Sequence, residues 1–396
     1  MIVVLVIALA LFFDFTNGFH DTANAMATPI ATGALKPRVA VAIAAVLNLV
    51  GALLSTQVAK TISVDLINPD VKLGTSMVFA GLTGAILWNL TTWILGLPSS
   101  SSHALFGGLI GAAIVGAGFD AVNFVKVVEK VIIPAFFAPL VAGIAAFLAT
   151  RLAYLITARS AASKVNTGRG KFKVGQIFSS GLVALAHGTN DAQKTMGVIT
   201  LVLVTAGLQA DGGHVELWVV LSAAAAIAIG TYSGGWRIIR TMGKGLAEIK
   251  PAQGFAAETS TGVTILASST LGFALSTTQV ASGGVVGSGL GRRGGRVKWN
   301  KAGHVVIGWI FTLPAAAVVG ALAALVVNAA SWGIIVVAVL CAAAVIALFQ
   351  VANRNKVSHA NVNSEVEDAS EVISSARARR KADEAAVKKA AKGGKK

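Results

Sequence analysis

Long apolar runs separated by short polar breaks make up most of this chain, from Met1 to about Val351. A helix of about 20 apolar residues is long enough to cross a bilayer. The pattern therefore predicts an all-α polytopic membrane protein. Its candidate segments fall in two series, roughly 2–33, 38–59, 74–97, 104–118 and 127–157, then 176–207, 217–236, 258–275, 276–290, 302–328 and 332–352.

The amino-acid composition supports this prediction and indicates which kinds of partner the protein binds. The 396 residues are 55% hydrophobic and only 13% charged, and the mean hydropathy is +0.74, values that exclude an ordinary water-soluble protein. A net charge of +16 suggests nucleic acid binding in a soluble protein, but here the basic residues lie in the polar breaks and the tail. We therefore expect a lipid bilayer as partner and no nucleic acid. The single cysteine, Cys341, excludes an intrachain disulfide.

The distribution of Lys and Arg predicts the orientation. With the N-terminus outside the cell, nearly all basic breaks and the basic tail face the cytoplasm, whereas the opposite orientation would export them. Cytoplasmic loops of membrane proteins carry an excess of Lys and Arg. We expect a multi-pass protein of the cell membrane, with an outside N-terminus and a cytoplasmic tail.

Two motifs recur in the same order along the chain. NGFHDTANAMA at 17–27 aligns with HGTNDAQKTMG at 187–197 and places Asp21 on Asp191, an offset of 170 residues. SSSHALFGGLIG at 100–111 aligns with STTQVASGGVVG at 276–287, an offset of 176. Two motifs at nearly one offset indicate a duplication. In the orientation above the copies run in opposite directions, as in the inverted repeats of many secondary transporters.

The duplication divides the chain into parts. We expect the first membrane repeat at 1–158, a cytoplasmic basic loop at 159–175, the second and inverted repeat at 176–352 with cytoplasmic loops at 237–257 and 291–301, and a charged cytoplasmic tail at 353–396.

Acidic residues at membrane depth are costly unless they are paired, hydrated or protonated, and they often mark an ion or substrate path. Asp14, Asp21 and Asp191 lie within apolar segments, and Glu258 opens one. For Asp21 and Asp191, which recur in matching polar contexts, we expect a functional role. For Asp14 and Glu258 a purely structural role is an equal alternative.

Glycines and hydroxyl residues flank these carboxylates. Gly18 and Gly188 beside polar residues predict broken helices whose unwound backbone binds ions, as in transporters with discontinuous spans. The runs Ser99 to Ser102 and Ser276 to Thr278 each precede a glycine-rich apolar segment. They predict two re-entrant hairpins that offer hydroxyls and helix N-terminal amides to an oxyanion, although close helix packing is an alternative.

The mixture of donors and carboxylate acceptors suits an oxyanion that still carries protons, such as phosphate, better than sulfate. Lys194 can balance Asp191 or attract the anion. His20, His103 and His187 lie inside the repeated motifs, where an imidazole can transfer protons or simply pack.

These motifs carry a family resemblance. GFHDTANA at 18–25 and HGTNDAQKTMG at 187–197 resemble the paired signatures of the inorganic phosphate transporter (PiT) family, and PSSSSH at 98–103 and LSTTQ at 275–279 resemble its paired hairpin motifs. The similarity covers about residues 10–310. It implies cotransport of inorganic phosphate with a cation through an inverted-repeat fold of about 12 membrane segments.

The resemblance also implies site residues. By position, Asp21, Asn24, Asn190 and Asp191 would line the phosphate and coupling-ion sites, Ser101, Ser102, Thr277 and Thr278 would hold phosphate, and Thr22 and Gln193 are further phosphate candidates. We add His20 and Lys194 as coupling-ion candidates. Two positions depart from the family pattern, His20 in place of Asn and Gln279 in place of His.

The coupling ion is the open question. The FHDTANA form is similar to bacterial low-affinity members that couple to protons and carry neutral metal-phosphate complexes, so we favour proton symport, with a sodium-coupled phosphate symporter as the alternative. A passive anion channel and an intramembrane hydrolase are less favoured, and no GxSxG elbow is present. We expect no enzyme activity, no cofactor and no resident metal, and leave open whether the chain forms a homo-oligomer.

Overall fold

The computed structural model describes residues 2–59, 68, 74–161, 168–210, 214–354 and 357–362. The charged tail predicted at 353–396 lies largely outside these residues. Met1–Val362 forms one compact unit. Its main helices are α1 Ile2–Ala31, α2 Pro37–Ala52, α3 Thr75–Leu95, α4 Ser101–Ala117, α5 Phe124–Val127, α6 Ile133–Ala161, α7 Gly168–Thr205, α8 Leu217–Ser233, α9 Trp236–Arg240, α10 Pro251–Thr270, α11 Thr277–Gly291, α12 Trp299–Ala329 and α13 Gly333–Arg354.

The all-α prediction is confirmed for the described residues, where the β pairing consists of one isolated bridge between Ala247 and Val297. Five helical stretches there are long and apolar enough to cross a bilayer. The pair Leu217–Ser233 and Trp236–Gly245, bent by 59° at its break, makes a sixth if it is taken as one span. These stretches are Ile2–Ala31, Thr75–Leu95, Phe124–Ile156, Trp299–Ala329 and Gly333–Arg354.

The two helices that carry the repeated acidic motif are unbroken, so the prediction of broken helices at Gly18 and Gly188 is wrong. α1 and α7 continue as α-helix through both motifs. The two glycines serve close packing instead. A Cβ added at Gly18 would collide with the backbone of α8 at Ile227, and one at Gly188 with the backbone of α2 at Asn48. Side chains, not freed backbone groups, therefore supply the polar atoms of these helices.

Glu258 does not open its helix as the apolar pattern predicts. α10 begins two turns earlier, at Pro251, a residue suited to the first position of a helix. The Gln253 side chain accepts a hydrogen bond from the Lys250 backbone N–H at 3.1 Å and caps this end. The polar stretch before Glu258 is therefore helical, and the carboxyl group lies in the helix interior, 3% exposed.

Two helical hairpins are the main structural units of the site. α3 packs antiparallel to α4, because Gly108 contacts Gly81 while Gly116, further on, contacts Met77. α10 packs antiparallel to α11, because Gly284 contacts Ala257 while Gln253 Nε2 donates to the Ser288 carbonyl. Each first helix is followed by a glycine with positive φ, Gly96 at 64° and Gly272 at 73°. Such backbone favours glycine and ends a helix cleanly.

A serine side chain caps the start of each second helix of these hairpins. Ser100 Oγ accepts from the His103 backbone N–H at 3.1 Å, and Ser276 Oγ accepts from the Gln279 N–H at 3.4 Å. One serine of each hydroxyl run is thus the N-terminal cap of its helix. The capped residues that follow face the interior.

Each hairpin packs tightly on a helix from the other half of the chain. A Cβ at Gly107 of α4 would collide with the Leu313 carbonyl of α12, and one at Gly283 of α11 with the Pro139 carbonyl of α6. Gly111 and Gly287, one turn further on, make the same kind of approach. Small residues let helices in membranes approach this closely, and residues that align in the repeat make matching contacts.

We expect Gly107→Ala and Gly283→Ala to destabilise the protein, because a methyl group would force hairpin and partner helix apart. Overpacking of this kind costs about 1–3 kcal/mol. Thermal unfolding of the purified protein in detergent measures the effect. The matched control is Gly308→Ala on α12, where an added Cβ meets no atom within 4 Å. Equal stability of all three variants would contradict the packing role.

Candidate functional site

The tips of both hairpins meet the polar middle of α1 and α7. Asp21 on α1 and Asp191 on α7 are both buried, 2% and 0% exposed. The Thr277 hydroxyl lies 2.9 Å from Asp191 Oδ2 and 3.4 Å from Asp21 Oδ2, so one threonine links the two carboxylates. The two residues that the repeat places in register thus share one site.

Hydroxyls from both hairpins surround Asp21. Ser101 Oγ, at the start of α4, donates to Asp21 Oδ2 at 2.8 Å, and Thr278 Oγ, at the start of α11, lies 3.2 Å from Asp21 Oδ1. Asn24 Nδ2 lies 3.1 Å from the hydroxyls of both Thr277 and Thr278. Its Oδ1 is buried without a partner among the described residues and remains available to accept a hydrogen bond.

Two histidines accompany the carboxylates. His20 Nδ1 lies 2.5 Å from Asp21 Oδ1, and its Nε2 lies 3.3 Å from Ser99 Oγ. His187 Nε2 lies 2.9 Å from Asp191 and 3.9 Å from Asp21, while its Nδ1 lies 3.2 Å from Asn48 Oδ1. Each imidazole can carry a proton next to a carboxylate, which suits proton transfer.

Lys194 forms a buried ion pair with Asp191. Its ammonium group also donates to Ser102 Oγ at 2.5 Å and to the Leu275 carbonyl at 3.0 Å. Three acceptors match the three donors of a lysine, which makes burial of its charge tolerable. Lys194 therefore joins the tips of both hairpins to α7.

Asp21, His187 and Asp191 together can hold a cation. One ligand atom of each lies within 4.8 Å of the others, and all three residues are buried. Carboxylate oxygens with an imidazole nitrogen accept a proton or ligate a divalent metal. The same three groups can therefore receive a proton or a divalent metal ion.

Three candidates point away from this centre. Thr22 donates to the Gly18 carbonyl at 2.6 Å and lies 3.2 Å from the Thr231 carbonyl, on the α8 side of α1. Gln193 Oε1 accepts from the Val58 N–H at 2.6 Å. Asn190 donates to Ser269 Oγ at 2.9 Å and to the Phe273 carbonyl at 3.3 Å. These side chains hold neighbouring segments in place around the site.

His103 and Gln279, which align in the repeat, face each other between the two hairpins. His103 Nδ1 lies 3.4 Å from Gln279 Nε2, and both side chains are buried. The departure from the family pattern at Gln279 therefore concerns a contact between α4 and α11. It does not alter the groups that contact Asp21 or Asp191.

A second polar cluster surrounds Glu258, and sequence reasoning missed its partners. Thr28 on α1 donates to Glu258 Oε1, Gln176 Nε2 on α7 does so at 3.2 Å, and Ser179 Oγ donates to Oε2 at 2.7 Å. A signal was available, because polar residues spaced three or four apart fall on one face of a helix. On α1 that face carries Asp14, Asn17, Asp21, Asn24 and Thr28.

Comparison with known proteins identifies the family. The model of the Phosphate transporter family matches residues 17–320. The chain belongs to the phosphate transporter family. This confirms the resemblance drawn from the four motifs. The family consists of transport proteins rather than enzymes, which confirms the choice of a transporter over a hydrolase.

Individual relatives agree with this family. The chain is 53% identical over 365 residues to a "Probable low-affinity inorganic phosphate transporter" of Mycobacterium leprae, covering 91% of this chain and 87% of the relative. It is 42% identical to the Bacillus subtilis protein of the same description, covering 83% and 98%. A solved structure described as "The sodium-dependent phosphate transporter" aligns with a TM-score of 0.70 at 23% identity, over 83% of this chain and 99% of that one. This likeness establishes the shared fold.

We expect Lys194→Met to destabilise the protein strongly, because Asp191 would lose its paired cation. Removing one partner of a buried ion pair costs about 3–5 kcal/mol. The double variant Lys194→Met with Asp191→Asn removes both charges and should recover most of the loss. Thermal unfolding in detergent measures both. A single variant as stable as the parent, or a double variant less stable than the single one, would contradict the pairing.

Proposed function

We propose that this transporter imports inorganic phosphate as a secondary active symporter coupled to protons, within an inverted-repeat fold. The observation that carries the proposal is the meeting of hydroxyls from both hairpins at the carboxylates of Asp21 and Asp191. Hydroxyl and ammonium donors can bind phosphate oxygens, while carboxylates and the Asn24 carbonyl can accept from its OH groups. The proposed phosphate residues at this centre are Asp21, Asn24, Ser101, Ser102, Asp191, Thr277 and Thr278. Thr22, Asn190 and Gln193, which the resemblance also implied, bond to neighbouring segments instead.

The charges of the buried side chains indicate that phosphate is transported together with a cation. Phosphate entering beside two buried carboxylates is repelled strongly at low dielectric, and Lys194 supplies a single buried positive charge there. A cation must therefore enter with the anion. A proton on His20, His187 or a carboxylate meets this need, and so does a divalent metal that arrives as a neutral metal-phosphate complex.

Sodium coupling is the second candidate. Carboxylate, hydroxyl and amide oxygens around Asp21 and Asn24 suit a hard cation such as sodium, and the solved structure of similar fold is described as sodium-dependent. His20 in direct contact with Asp21 favours the proton. The structure of the site thus motivates a direct comparison of the two ions.

The architecture we propose is two inverted repeats of about 12 membrane segments, at 1–158 and 176–352, with α3–α4 and α10–α11 as re-entrant hairpins. Matching glycine contacts at positions 176 residues apart support it. α6 and α7 extend into the proposed loop 159–175, up to Ala161 and from Gly168. With the site fully buried, transport requires the hairpins to move relative to α1 and α7, as in alternating access.

The proposed orientation places the N-terminus outside and the C-terminal tail in the cytoplasm of the cell. Contacts among the basic turns support it. Lys173 Nζ donates to the Gly33 carbonyl at 3.3 Å, and Lys298 Nζ to the Lys244 carbonyl at 3.2 Å. Gly243, next to Lys244, lies against Ala27 and Ala31 at the end of α1, close in the chain to Gly33. The basic turns thus lie together, as the positive-inside bias requires.

We expect Asp21→Asn and Asp191→Asn each to abolish accumulation of radiolabelled phosphate in proteoliposomes, because each removes an acceptor that a cation or a phosphate OH requires. The control is Asp120→Asn, an exposed carboxylate remote from the site. Membrane insertion and detergent stability of each variant are measured in parallel. Parental uptake by both variants would refute the shared site.

We expect an inward proton gradient to drive phosphate accumulation in the absence of sodium. The measurement compares proteoliposomes that carry a proton gradient alone with others that carry a sodium gradient alone. Robust uptake with sodium only would replace proton coupling by sodium coupling. Equilibration without accumulation under either gradient would indicate a passive anion channel.

A further inference from the structure

The polar face of α1 continues past the phosphate site towards the N-terminus. Asp14 lies two helical turns before Asp21, about 10 Å along the axis, and Asn17 lies between them. Both side chains are 0% exposed. The second half of the chain has no equivalent acid, because the repeat offset of 170 places Ala184 opposite Asp14.

Asp14 lacks the partners that a structural carboxylate normally has. Thr195 on α7 and Asn17 lie close enough to act on the Asp14 carboxyl group as weak hydrogen-bond partners, yet neither carboxylate oxygen has a hydrogen bond of ordinary length and direction within the described residues. The Asn17 amide nitrogen and oxygen and the Thr195 hydroxyl are likewise buried without partners. Several polar atoms therefore converge on one buried place and leave their hydrogen bonds unmade.

Glu258 provides a comparison within the same protein. It is equally buried, but both of its oxygens accept hydrogen bonds, from Thr28, Gln176 and Ser179. A buried carboxylate without such bonds is far more costly. Asp14 is thus as buried as a structural acid but lacks the hydrogen bonds that would offset the cost of its burial. This difference points to a group that binds there during function.

The charges around Asp14 leave it uncompensated. From α7, Asp191 and Lys194 act on it electrostatically, but Lys194 is already paired with Asp191. Two further helices that pack extensively on α1 are α3 and α8, and neither has an acidic or basic residue over Thr75–Leu95 or Leu217–Ser233. The short helix α9 also packs on α1 and carries Arg237 and Arg240, but the glycines that flank it contact α1 at Phe19 and Ala27, away from Asp14 towards the C-terminal end. A cation is therefore the ligand that this place lacks.

α3 also carries a buried amide near its contact with α1. His20 Nε2 lies 3.4 Å from Thr92 Oγ1, and Asn89 lies one turn before Thr92 on α3. Asn89 is 1% exposed, and its side-chain oxygen and nitrogen also lack partners. Carboxylate, amide and hydroxyl oxygens together form the ligand set of a hard cation.

We propose that Asp14, with Asn17 and Thr195, forms a second cation site, which takes a proton or a sodium ion on its way to or from the phosphate site. This rests on the proposed cation-coupled transport. The site stands apart from the phosphate ligands, so a variant at Asp14 should separate coupling from phosphate binding.

The test compares two modes of transport by Asp14→Asn in proteoliposomes. One is accumulation of phosphate driven by a proton or a sodium gradient. The other is exchange of labelled for unlabelled phosphate at equal concentration, without any gradient. We expect accumulation to fall at least tenfold while exchange stays within about twofold of the parent. Asp14→Glu, which keeps the charge, should retain accumulation, and Asp120→Asn should change neither mode.

The outcomes are distinguishable. Loss of exchange together with accumulation, without recovery in Asp14→Glu, would show a structural role and overturn the proposal, as would parental accumulation by Asp14→Asn. The gradient whose effect disappears in Asp14→Asn identifies the ion. If the parent itself neither exchanges nor accumulates phosphate, the proposed function fails independently of Asp14.

A second variant covers the case in which Asp14→Asn does not fold. Thr195→Val keeps the shape of the side chain and removes one oxygen. We expect a higher cation concentration for half-maximal phosphate uptake, with unchanged exchange. An unchanged cation dependence of this variant would contradict a role of Thr195 in the site and overturn the proposal.

Discussion

The burial of two carboxylates side by side is the constraint on which this structure depends. Asp21 and Asp191 lie at the centre of an apolar protein, where unpaired charges are costly. Their compensation comes from several elements at once, through His20, His187 and Lys194 and through the hydroxyls of both hairpins. If either hairpin tip were displaced, at least one of the acids would lose partners.

Glycine packing is what allows the hairpins to reach this centre. Gly107 and Gly283 bring α4 and α11 into backbone contact with α12 and α6, and interiors packed this closely do not deform gradually. Since α1 and α7 are continuous, the polar groups of the site are side chains with defined directions. Movement of a hairpin as a rigid unit would then change several contacts of both carboxylates together, which suits an alternating-access cycle.

Asp14 and Asp21 on α1, and Glu258 on α10 beside it, are buried acids in three different environments, which indicate three different roles. Glu258, near Thr28, has all the hydrogen bonds that a structural acid needs. Asp21 shares hydroxyls and histidines with Asp191 and suits the proposed phosphate and cation chemistry. Asp14 has no hydrogen bond of ordinary length and direction within the described residues, which is why we propose that it belongs to a second cation site.

The sequence alone determined the helical membrane class, the family and the pairing of Asp21 with Asp191. The length of each apolar run can be read from a short stretch of sequence, and the repeated motifs can be aligned with each other without any structure. It did not determine the unbroken course of α1 and α7, since a glycine beside polar residues fits a kink and a close contact equally well. Nor did it show that Thr22, Asn190 and Gln193 turn away from the centre while Thr277 links both acids. Those facts depend on which helix packs against which face, and only the tertiary structure fixes the distances between residues far apart in the chain.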